Sequence, residues 1–320
     1  KVAVVLSGGG AKGVAHIGAL KVIEEAGIPI DIITGTSMGS IVGGLYSIGY
    51  RADVLDSIVR AQDWNTLLLD REDLSLQRIA EREKQNTYML STGITLKKNK
   101  GLSATGGIIK GKNLHSLFER LTSGYSDSID FNTLPIPFAC VATDMVTFTE
   151  YVFHSGVLPQ AMRASMAIPA VFTPVRIGGM VLVDGGMRNN YPADVAREMG
   201  ADIIIGVAVP DEDKTAEDLG STTSILKRIV DYNTKNKYDE NVSITDVYIP
   251  VNTHNYSAAS FNSAAIDTLI NRGEKAARGH WDELVALRER IGNYKPKPQT
   301  PVVLLSPDSV KITSVEFVDV

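Results

Sequence analysis

Two short apolar runs near the amino end each stop at a glycine-rich turn, and apolar residues at helical spacing follow each turn. Residues 2–6 lead into Gly8-Gly9-Gly10-Ala11-Lys12-Gly13, and residues 30–34 lead into Gly35-Thr36-Ser37-Met38-Gly39. Continuous apolar runs are typical of parallel strands that are buried on both faces. The pattern predicts a strand–turn–helix unit that occurs twice, which favours an α/β fold.

Further apolar runs at residues 138–143, 180–183 and 203–209 predict additional strands. Helical patterns cover residues 40–49, 224–232 and 258–291, and we expect the last to break near Gly273 or Gly279. Strands that alternate with helices predict a mostly parallel central sheet covered on both faces.

The composition excludes some classes of function. Hydrophobic residues make up 44% of the chain and charged residues 22%, and the net charge of -5 gives no general attraction to nucleic acid. Cys140 is the single cysteine, so there is no intrachain disulfide and no cysteine-based zinc site, and we expect it to be a small buried hydrophobe. No apolar run approaches the roughly 18 residues of a membrane helix. We predict no metal and no cofactor.

The segment from Gly35 to Gly39 has the G-x-S-x-G pattern of a nucleophile elbow. In such an elbow a tight strand-to-helix turn needs glycines on both sides, because side chains there would block close packing. Ser37 would then stand at a helix N-terminus as a nucleophile. A glycine–serine turn with no catalytic role fits the same five residues, so other motifs in the chain are needed to distinguish the two interpretations.

The first glycine-rich turn, residues 8–13, lies where backbone N–H groups and a helix dipole converge on an anion. In a hydrolase it would form the oxyanion hole, in which each donor contributes about 2.7–4 kcal/mol. Its G-x-G-x-x-G spacing also leaves open a nucleotide-binding module. That alternative needs a carboxylate at the carboxyl end of the second strand, whereas Asp31 lies at the amino end.

A serine nucleophile needs a base, and Asp184 is the strongest candidate. It follows the apolar run 180–183 and precedes Gly185-Gly186, which permit close backbone approach. A turn aspartate is the alternative interpretation. None of the five histidines, His16, His115, His154, His254 and His280, lies in a catalytic motif. A triad of Ser37 and Asp184 with His254 or His280 stays open.

These three motifs, in this order and spacing, resemble those of the patatin-like phospholipases. Residues 161–169 and Asn190-Tyr191-Pro192 are also similar to family segments, and the resemblance covers about residues 1–280. Lys12 is a departure, because the family usually has Arg there and Lys lacks the fork geometry of a guanidinium.

The resemblance implies a three-layer α/β/α fold and a Ser–Asp dyad without histidine, with Ser37 as nucleophile and Asp184 as base. It implies an oxyanion hole formed from Gly8, Gly9, Gly10, Ala11, Lys12 and Gly13. The implied activity is phospholipase A or lysophospholipase hydrolysis of lipid esters through an acyl-enzyme. Expected partners are a phospholipid or lipid ester substrate and a peripherally contacted membrane surface, with no nucleic acid; a homodimer stays open.

We expect the acyl hydrolase domain to cover residues 1–292, a Pro-rich linker 293–301 and a β-like tail 302–320. This ending is similar to bacterial family members in which a POTRA module and an outer-membrane barrel follow. It implies a location at the cell surface, in the outer membrane or outside the cell, with the cytoplasm as the alternative. Residues 91–112 predict a hairpin or flap, and its basic cluster Lys97-Lys98-Asn99-Lys100 is either a solvated turn or part of a lid or membrane-touching loop.

Overall fold

The structure is a computed structural model that describes residues 1–70, 94–97, 101–104, 107–210 and 234–292. Its strands are β1 Val2–Leu6, β2 Ile32–Thr36, β3 Ile94–Lys97, β4 Gly101–Ala104, β5 Gly107–Ile109, β6 Ile129–Asp130, β7 Phe138–Asp144, β8 Thr149–Phe153, β9 Ser155–Gly156, β10 Ala170–Phe172, β11 Val175–Ile177, β12 Met180–Asp184, β13 Ile203–Ala208 and β14 Val247–Pro250. Its helices are α1 Ala15–Glu25, α2 Met38–Ser47, α3 Ala52–Arg60, α4 Trp64–Leu68, α5 Lys112–Leu121, α6 Leu158–Ser165, α7 Ala193–Glu198, α8 over 234–243, α9 Ser263–Gly279 and α10 Trp281–Ile291.

An eight-stranded sheet forms the centre of the fold, in the order β11-β12-β7-β2-β1-β13-β14, and β8 also pairs with β7. The strands β7, β2, β1, β13 and β14 are mutually parallel. The pairings of β12 with β7, of β11 with β12 and of β8 with β7 are antiparallel. The prediction of a mostly parallel sheet is therefore confirmed, with an antiparallel region at one side.

Alternate residues of β1 pack into separate cores on the two faces of the sheet. Val2, Val4 and Leu6 belong to the core shared with α1, α2 and α9. Ala3 and Val5 belong to a second core that includes residues of α7 and α8. This alternation follows from the two-residue period of a strand and accounts for the continuous apolar sequence. Helices on both faces give the three-layer arrangement.

The predicted break in the last helical pattern lies at Gly279, where α9 ends and α10 begins two residues later. Gly273 remains inside α9. A side chain at Gly273 would overlap the carbonyl oxygen of Ala15, and one at Gly18 would overlap that of Ile270. Gly273 therefore allows α9 to pack closely against α1, and it is not a helix breaker here.

The elbow is tighter than the sequence predicted. β2 extends to Thr36 and α2 starts at Met38, so that Ser37 alone lies between them, whereas the expected strand covered residues 30–34 and the expected helix began at Ser40. The strand extends because Gly35 and Thr36 pair with Cys140 and Val141 of β7. Thr34 and Thr36 also donate hydroxyl hydrogen bonds to the carbonyls of Pro192 and Asn189, at 2.9 and 2.8 Å.

Some predicted features lie outside the described residues: the helix over 224–232, the linker 293–301 and the tail 302–320. In the 91–112 segment, β3 pairs antiparallel with β4, so the predicted hairpin is confirmed, and its role as a lid stays a prediction. Among the described helices, none combines the length and apolar character needed to cross a bilayer.

Candidate active site

Ser37 is held in a backbone conformation that non-glycine residues rarely adopt, with φ 54° and ψ -120°. Close packing explains the glycines on either side of it. A Cβ at Gly35 would overlap the carbonyl of Gly39, and a Cβ at Gly39 would overlap the carbonyl of Leu6. The G-x-S-x-G spacing is therefore required by contacts with backbone atoms, as a nucleophile elbow requires.

Ser165, at the end of α6, stabilises this strained residue. Its hydroxyl oxygen accepts a hydrogen bond from the backbone N–H of Ser37 at 2.9 Å and donates to the carbonyl of Val141 at 2.6 Å. On the other side, the Ser40 hydroxyl donates to the Ser37 carbonyl at 2.6 Å. Ser165 is fully buried and Ser37 is only 5% exposed. The polar backbone atoms of the elbow are thus satisfied without relaxing its conformation.

β2, which leads into Ser37, and β12, which ends at Asp184, both pair with β7, and their last residues are opposite neighbouring residues of β7. Thr36 is opposite Val141, and Asp184 is opposite Ala142, the next residue of β7. The partners of Val141 and Ala142 in β8 are Val152 and Tyr151, which occupy the other edge. Because a strand residue has one partner on each edge, β2 and β12 approach each other end to end along the same edge. The register brings the two predicted catalytic segments together.

Asp184 is 8% exposed and firmly fixed at the end of β12. Its Oδ1 accepts the N–H of Gly186 at 2.8 Å, its own N–H donates to the carbonyl of Ala167 at 2.9 Å, and its carbonyl accepts the Thr143 hydroxyl at 3.0 Å. A Cβ at Gly185 would overlap the carbonyl of Val141. The turn after β12 therefore packs directly on β7 beside the elbow.

Asn190 is a residue of the site that lies outside the three catalytic motifs. Added Cβ atoms at Gly8 and Gly186 would both contact its side-chain oxygen, and the one at Gly8 would lie 3.2 Å from the Cβ of Ser37. The Asn190 carbonyl also accepts the N–H of Gly8 at 3.1 Å. The first glycine-rich turn, the elbow and the Asp184 turn thus meet around one asparagine. Only the resemblance of Asn190-Tyr191-Pro192 to a family segment pointed to it.

Fewer than the six predicted residues can supply a donor to an oxyanion, because several backbone N–H groups of the glycine-rich turn already donate hydrogen bonds within the protein. Gly8 donates to Asn190, Ala11 donates to the carbonyl of Ala258 at 2.8 Å, and Lys12 donates to the carbonyl of Gly9 at 3.3 Å. Within the described ranges, the N–H groups of Gly9 and Gly10 donate to no acceptor. These two groups are the candidates for holding an oxyanion.

Lys12 and Gly13 have packing roles in this turn. Lys12 is 4% exposed, and its Nζ donates to the carbonyl of Pro210 at 3.4 Å, beyond the end of β13. A Cβ at Gly13 would lie 2.6 Å from the Cβ of Met38. Lys12 therefore links the turn to the chain after β13, and Gly13 allows the turn to pack against the residue that follows Ser37.

His16 is completely buried in α1, and its side chain bonds to the residue before the glycine-rich turn. Its Nε2 lies 2.7 Å from the carbonyl oxygen of Ser7, so Nε2 carries the proton. Its Nδ1 has no hydrogen-bond partner among the described residues. Complete burial lowers the pKa of His16 from 6.5 to about 4 despite the bond to Ser7. The neutral imidazole holds the chain just before Gly8.

The other histidines are distributed around the molecule. His115 and His280 pair with Glu119 and Glu283 at 3.3 and 2.9 Å. His280 follows Arg278, which bonds to Glu25 at the far end of α1, away from the glycine-rich turn. His254 is exposed, in the loop that also carries Ala258. The triad with His280 is therefore disfavoured, and the one with His254 stays an alternative.

Asp31 confirms the argument against a dinucleotide site. Its carboxylate accepts the N–H of Val2 at 2.8 Å, at the amino end of β1 and β2, while the glycine-rich turn lies at the carboxyl end. Among the described residues there is also no group of three or more His, Cys, Asp or Glu side chains that could bind a metal ion.

The family model of the patatin-like phospholipases matches residues 4–197, which contain the glycine-rich turn, the elbow and Asp184. The chain belongs to the patatin-like phospholipase family. The match begins within β1 and ends within α7, so it covers the glycine-rich turn, Ser37, Asp184 and Asn190.

Individual patatin-like relatives have similar sequences over this region. Human patatin-like phospholipase domain-containing protein 6 is 33% identical over 216 residues, which cover 67% of this chain and 14% of the relative. Lysophospholipase nte1 of Aspergillus fumigatus is 34% identical over 224 residues, covering 70% of this chain and 13% of the relative. The chain thus spans only a small part of these relatives.

Among solved structures, the crystal structure of VipD from Legionella pneumophila superposes with a TM-score of 0.51 at 15% identity. The alignment covers 88% of this chain and 67% of VipD. At this identity the likeness concerns the fold alone, and it supports the patatin-like α/β/α architecture.

Proposed function

We propose that this chain is a serine lipid acyl hydrolase of the phospholipase A or lysophospholipase type, with Ser37 as nucleophile and Asp184 as base. The observation that carries the proposal is the register on β7, where the strands bearing Ser37 and Asp184 end opposite the neighbouring residues Val141 and Ala142. Family membership supports the class of reaction.

In the first step, Ser37 Oγ attacks the ester carbonyl carbon while Asp184 accepts the hydroxyl proton. The carbonyl π electrons move to oxygen, and the resulting oxyanion would lie against the N–H groups of Gly9 and Gly10. Collapse of this intermediate expels the alcohol of the lysolipid or glycerol, which takes the proton from Asp184. The acyl group remains on Ser37.

In the second step, Asp184 removes a proton from water, which attacks the acyl carbonyl through the same oxyanion position. The acyl–oxygen bond to Ser37 then breaks, and the serine recovers the proton as the fatty acid leaves. The strained backbone of Ser37 supports this role, since such strain is typical of pre-organised functional residues.

A lipid panel tests the proposal. Wild type, Ser37→Ala and the exposed-serine control Ser57→Ala are incubated with phospholipids, lysophospholipids and triacylglycerols, and products are identified by mass spectrometry. We expect fatty acids and lysolipids from wild type and Ser57→Ala only, and fluorophosphonate labelling at Ser37. Release of the same products by Ser37→Ala would refute the assignment of the nucleophile.

The expected location at the cell surface, in the outer membrane or outside the cell is a separate proposal. It is supported by the Pro-rich segment 293–301 and by the β-like tail 302–320, of which residues 310–320 alternate between apolar and polar. Cell fractionation with an antibody against this chain tests it. Recovery from the cytosol alone would favour the alternative, an enzyme that acts on lipids inside the cell.

A further inference from the structure

The loop between β7 and β8 exposes two large apolar side chains. It consists of Met145-Val146-Thr147-Phe148 and contains no charged residue. Val146 is 63% exposed and Phe148 is 58% exposed, the two highest values among the large hydrophobic residues that the structure describes. We refer to residues 145–148 as the apolar tip.

Hydrogen bonds hold the apolar tip in one conformation. Asp144 Oδ1 accepts the N–H of Val146 and the N–H of Val181, each at 3.1 Å, and Asp144 Oδ2 accepts the Thr147 hydroxyl at 2.9 Å. These donors, Val146 first, hold the pKa of the Asp144 carboxyl below its usual value. The carboxylate is therefore ionised at neutral pH. Its hydrogen bonds fix the conformation of the hairpin that carries the apolar tip.

Phe148 has a backbone conformation that does not suit an aromatic residue. Its φ is 59°, in the left-handed region where Gly or Asn is favoured and a bulky side chain is strained. An exposed Phe at this position therefore destabilises the folded state in two ways: its backbone is strained, and its apolar ring contacts water. Glycine would remove both costs, so a residue that serves only the turn would not be Phe.

The apolar tip projects from the same end of the sheet as Ser37. β7 runs parallel to β2, and Val146 lies five residues beyond Val141, the residue opposite Thr36. Of these residues only Val141 to Asp144 belong to β7, so at about 3.3 Å per residue the strand ends about 10 Å further along than Val141, and the tip turns back from there. The Gly178-Gly179 turn of the neighbouring β11–β12 hairpin points the same way, since Ile177 pairs with Met180 beyond Asp144.

We infer that the apolar tip inserts into the lipid–water interface of a phospholipid membrane, with Val146 and Phe148 as anchors that orient the carboxyl end of the sheet toward the lipid. The inference rests on the proposed function, because a lipid hydrolase must reach esters that lie in such an interface. Short uncharged apolar segments, and aromatic rings above all, partition favourably there.

The size of the tip favours a membrane over a protein partner. A stable protein–protein interface buries about 1,200 Å² or more, whereas an aromatic side chain contributes only about 150–250 Å². Two side chains on a narrow hairpin are thus too small for a protein interface of their own. They are sufficient for shallow insertion, where each buried apolar group adds to partitioning independently.

Vesicle sedimentation tests the inference. All proteins carry Ser37→Ala so that the lipids stay intact, and binding is measured on phosphatidylcholine vesicles with a minority of phosphatidylglycerol. We expect the double variant Val146→Ser/Phe148→Gly to bind about tenfold or more weakly, given the apolar area removed. The control is Ile244→Ser, an exposed apolar residue at the amino end of β14, which should bind like the parent.

Folding and chemistry are checked separately. Phe148→Gly removes a strained φ and also increases the entropy of the unfolded chain, so the double variant should unfold at about the same urea concentration as the parent. With Ser37 restored, it should hydrolyse a short-chain water-soluble ester at the wild-type rate and lose activity on vesicles only. Absence of soluble-ester hydrolysis in wild type would refute the proposed function without affecting the binding result. Unchanged vesicle binding by the double variant, or an equal loss in Ile244→Ser, would overturn the inference.

Discussion

The backbone N–H of Ser37 donates a hydrogen bond to the hydroxyl of Ser165 at 2.9 Å, across 128 residues of sequence. That hydroxyl in turn donates to the carbonyl of Val141 in β7. Val141 pairs with Thr36, and the next residue, Ala142, pairs with Asp184. Ser165 therefore connects the strained elbow to the strand that sets its position relative to Asp184.

Ser165→Ala should weaken both the fold and the nucleophile. Loss of the hydroxyl leaves the buried Ser37 N–H and Val141 carbonyl without this partner, which should cost about 1–3 kcal/mol of the free energy of unfolding. A small shift of the elbow should lower kcat about tenfold or more with little change in KM. Ser165→Thr keeps the hydroxyl and should recover part of the fluorophosphonate labelling rate. Labelling of Ser165→Ala at the wild-type rate would show that the bond has a structural role only.

Asp184→Asn should separate the dyad from the triad. Asparagine retains an oxygen that can accept the Gly186 N–H but cannot act as a base, so turnover should fall about 10²–10⁴-fold in a folded protein. The comparison is a His254→Ala/His280→Ala double variant, assayed for the same ester hydrolysis with circular dichroism as a folding check. We expect it to retain most of its activity. A folded but inactive double variant would instead support a histidine base.

Gly39→Ala should be strongly destabilising because the added methyl group would overlap the backbone of Leu6. We expect a loss of about 1–3 kcal/mol or more in urea unfolding, together with loss of Ser37 labelling. Gly124→Ala is the matched control, since a Cβ there meets nothing within 4 Å, and it should change stability by no more than about 0.5 kcal/mol. Equal effects of the two changes would argue against the tight elbow.

The burial of His16 predicts a pH dependence of stability. Its pKa is lowered from 6.5 to about 4 in the folded state, so the unfolded chain binds the proton more tightly between these values. The contribution of a neutral His16 is present above about pH 6.5 and is lost as the pH falls toward 4, by about 3 kcal/mol in total. His16→Gln keeps a donor for Ser7 and does not titrate. Urea unfolding at pH 7 and pH 4 should therefore show a smaller loss for His16→Gln than for wild type, and equal losses would contradict the assignment.

Those parts of the fold that depend on local pattern could be predicted from the sequence. The apolar runs of β1, β7, β12 and β13 identify the central strands, and the glycine motifs identify both functional turns, because close backbone approach leaves few other residues usable. Strand ends were less predictable. β2 continues to Thr36 because Gly35 and Thr36 pair with Cys140 and Val141, which are distant in the sequence.

The residues to which no catalytic motif pointed act over long range. Ser165 and Asn190 lie in segments that only the family resemblance marked, and the folded chain brings them to Ser37 and Gly8. The pairing of Ala11 with Ala258 likewise removes an expected oxyanion donor through a contact across the fold. Such hydrogen bonds depend on three-dimensional placement, for which neither periodicity nor spacing carries a signal.

The end-to-end arrangement of β2 and β12 also determines which changes this site could survive in evolution. The spacing of Ser37 and Asp184 depends on the main chain at Val141 and Ala142, whereas the buried side chains of β7 serve the core and, through Thr143, the Asp184 carbonyl. One residue inserted between Val141 and Ala142 would separate the two groups by about 3.3 Å while leaving both intact. Lineages that retain the activity should therefore show no insertion or deletion in this strand.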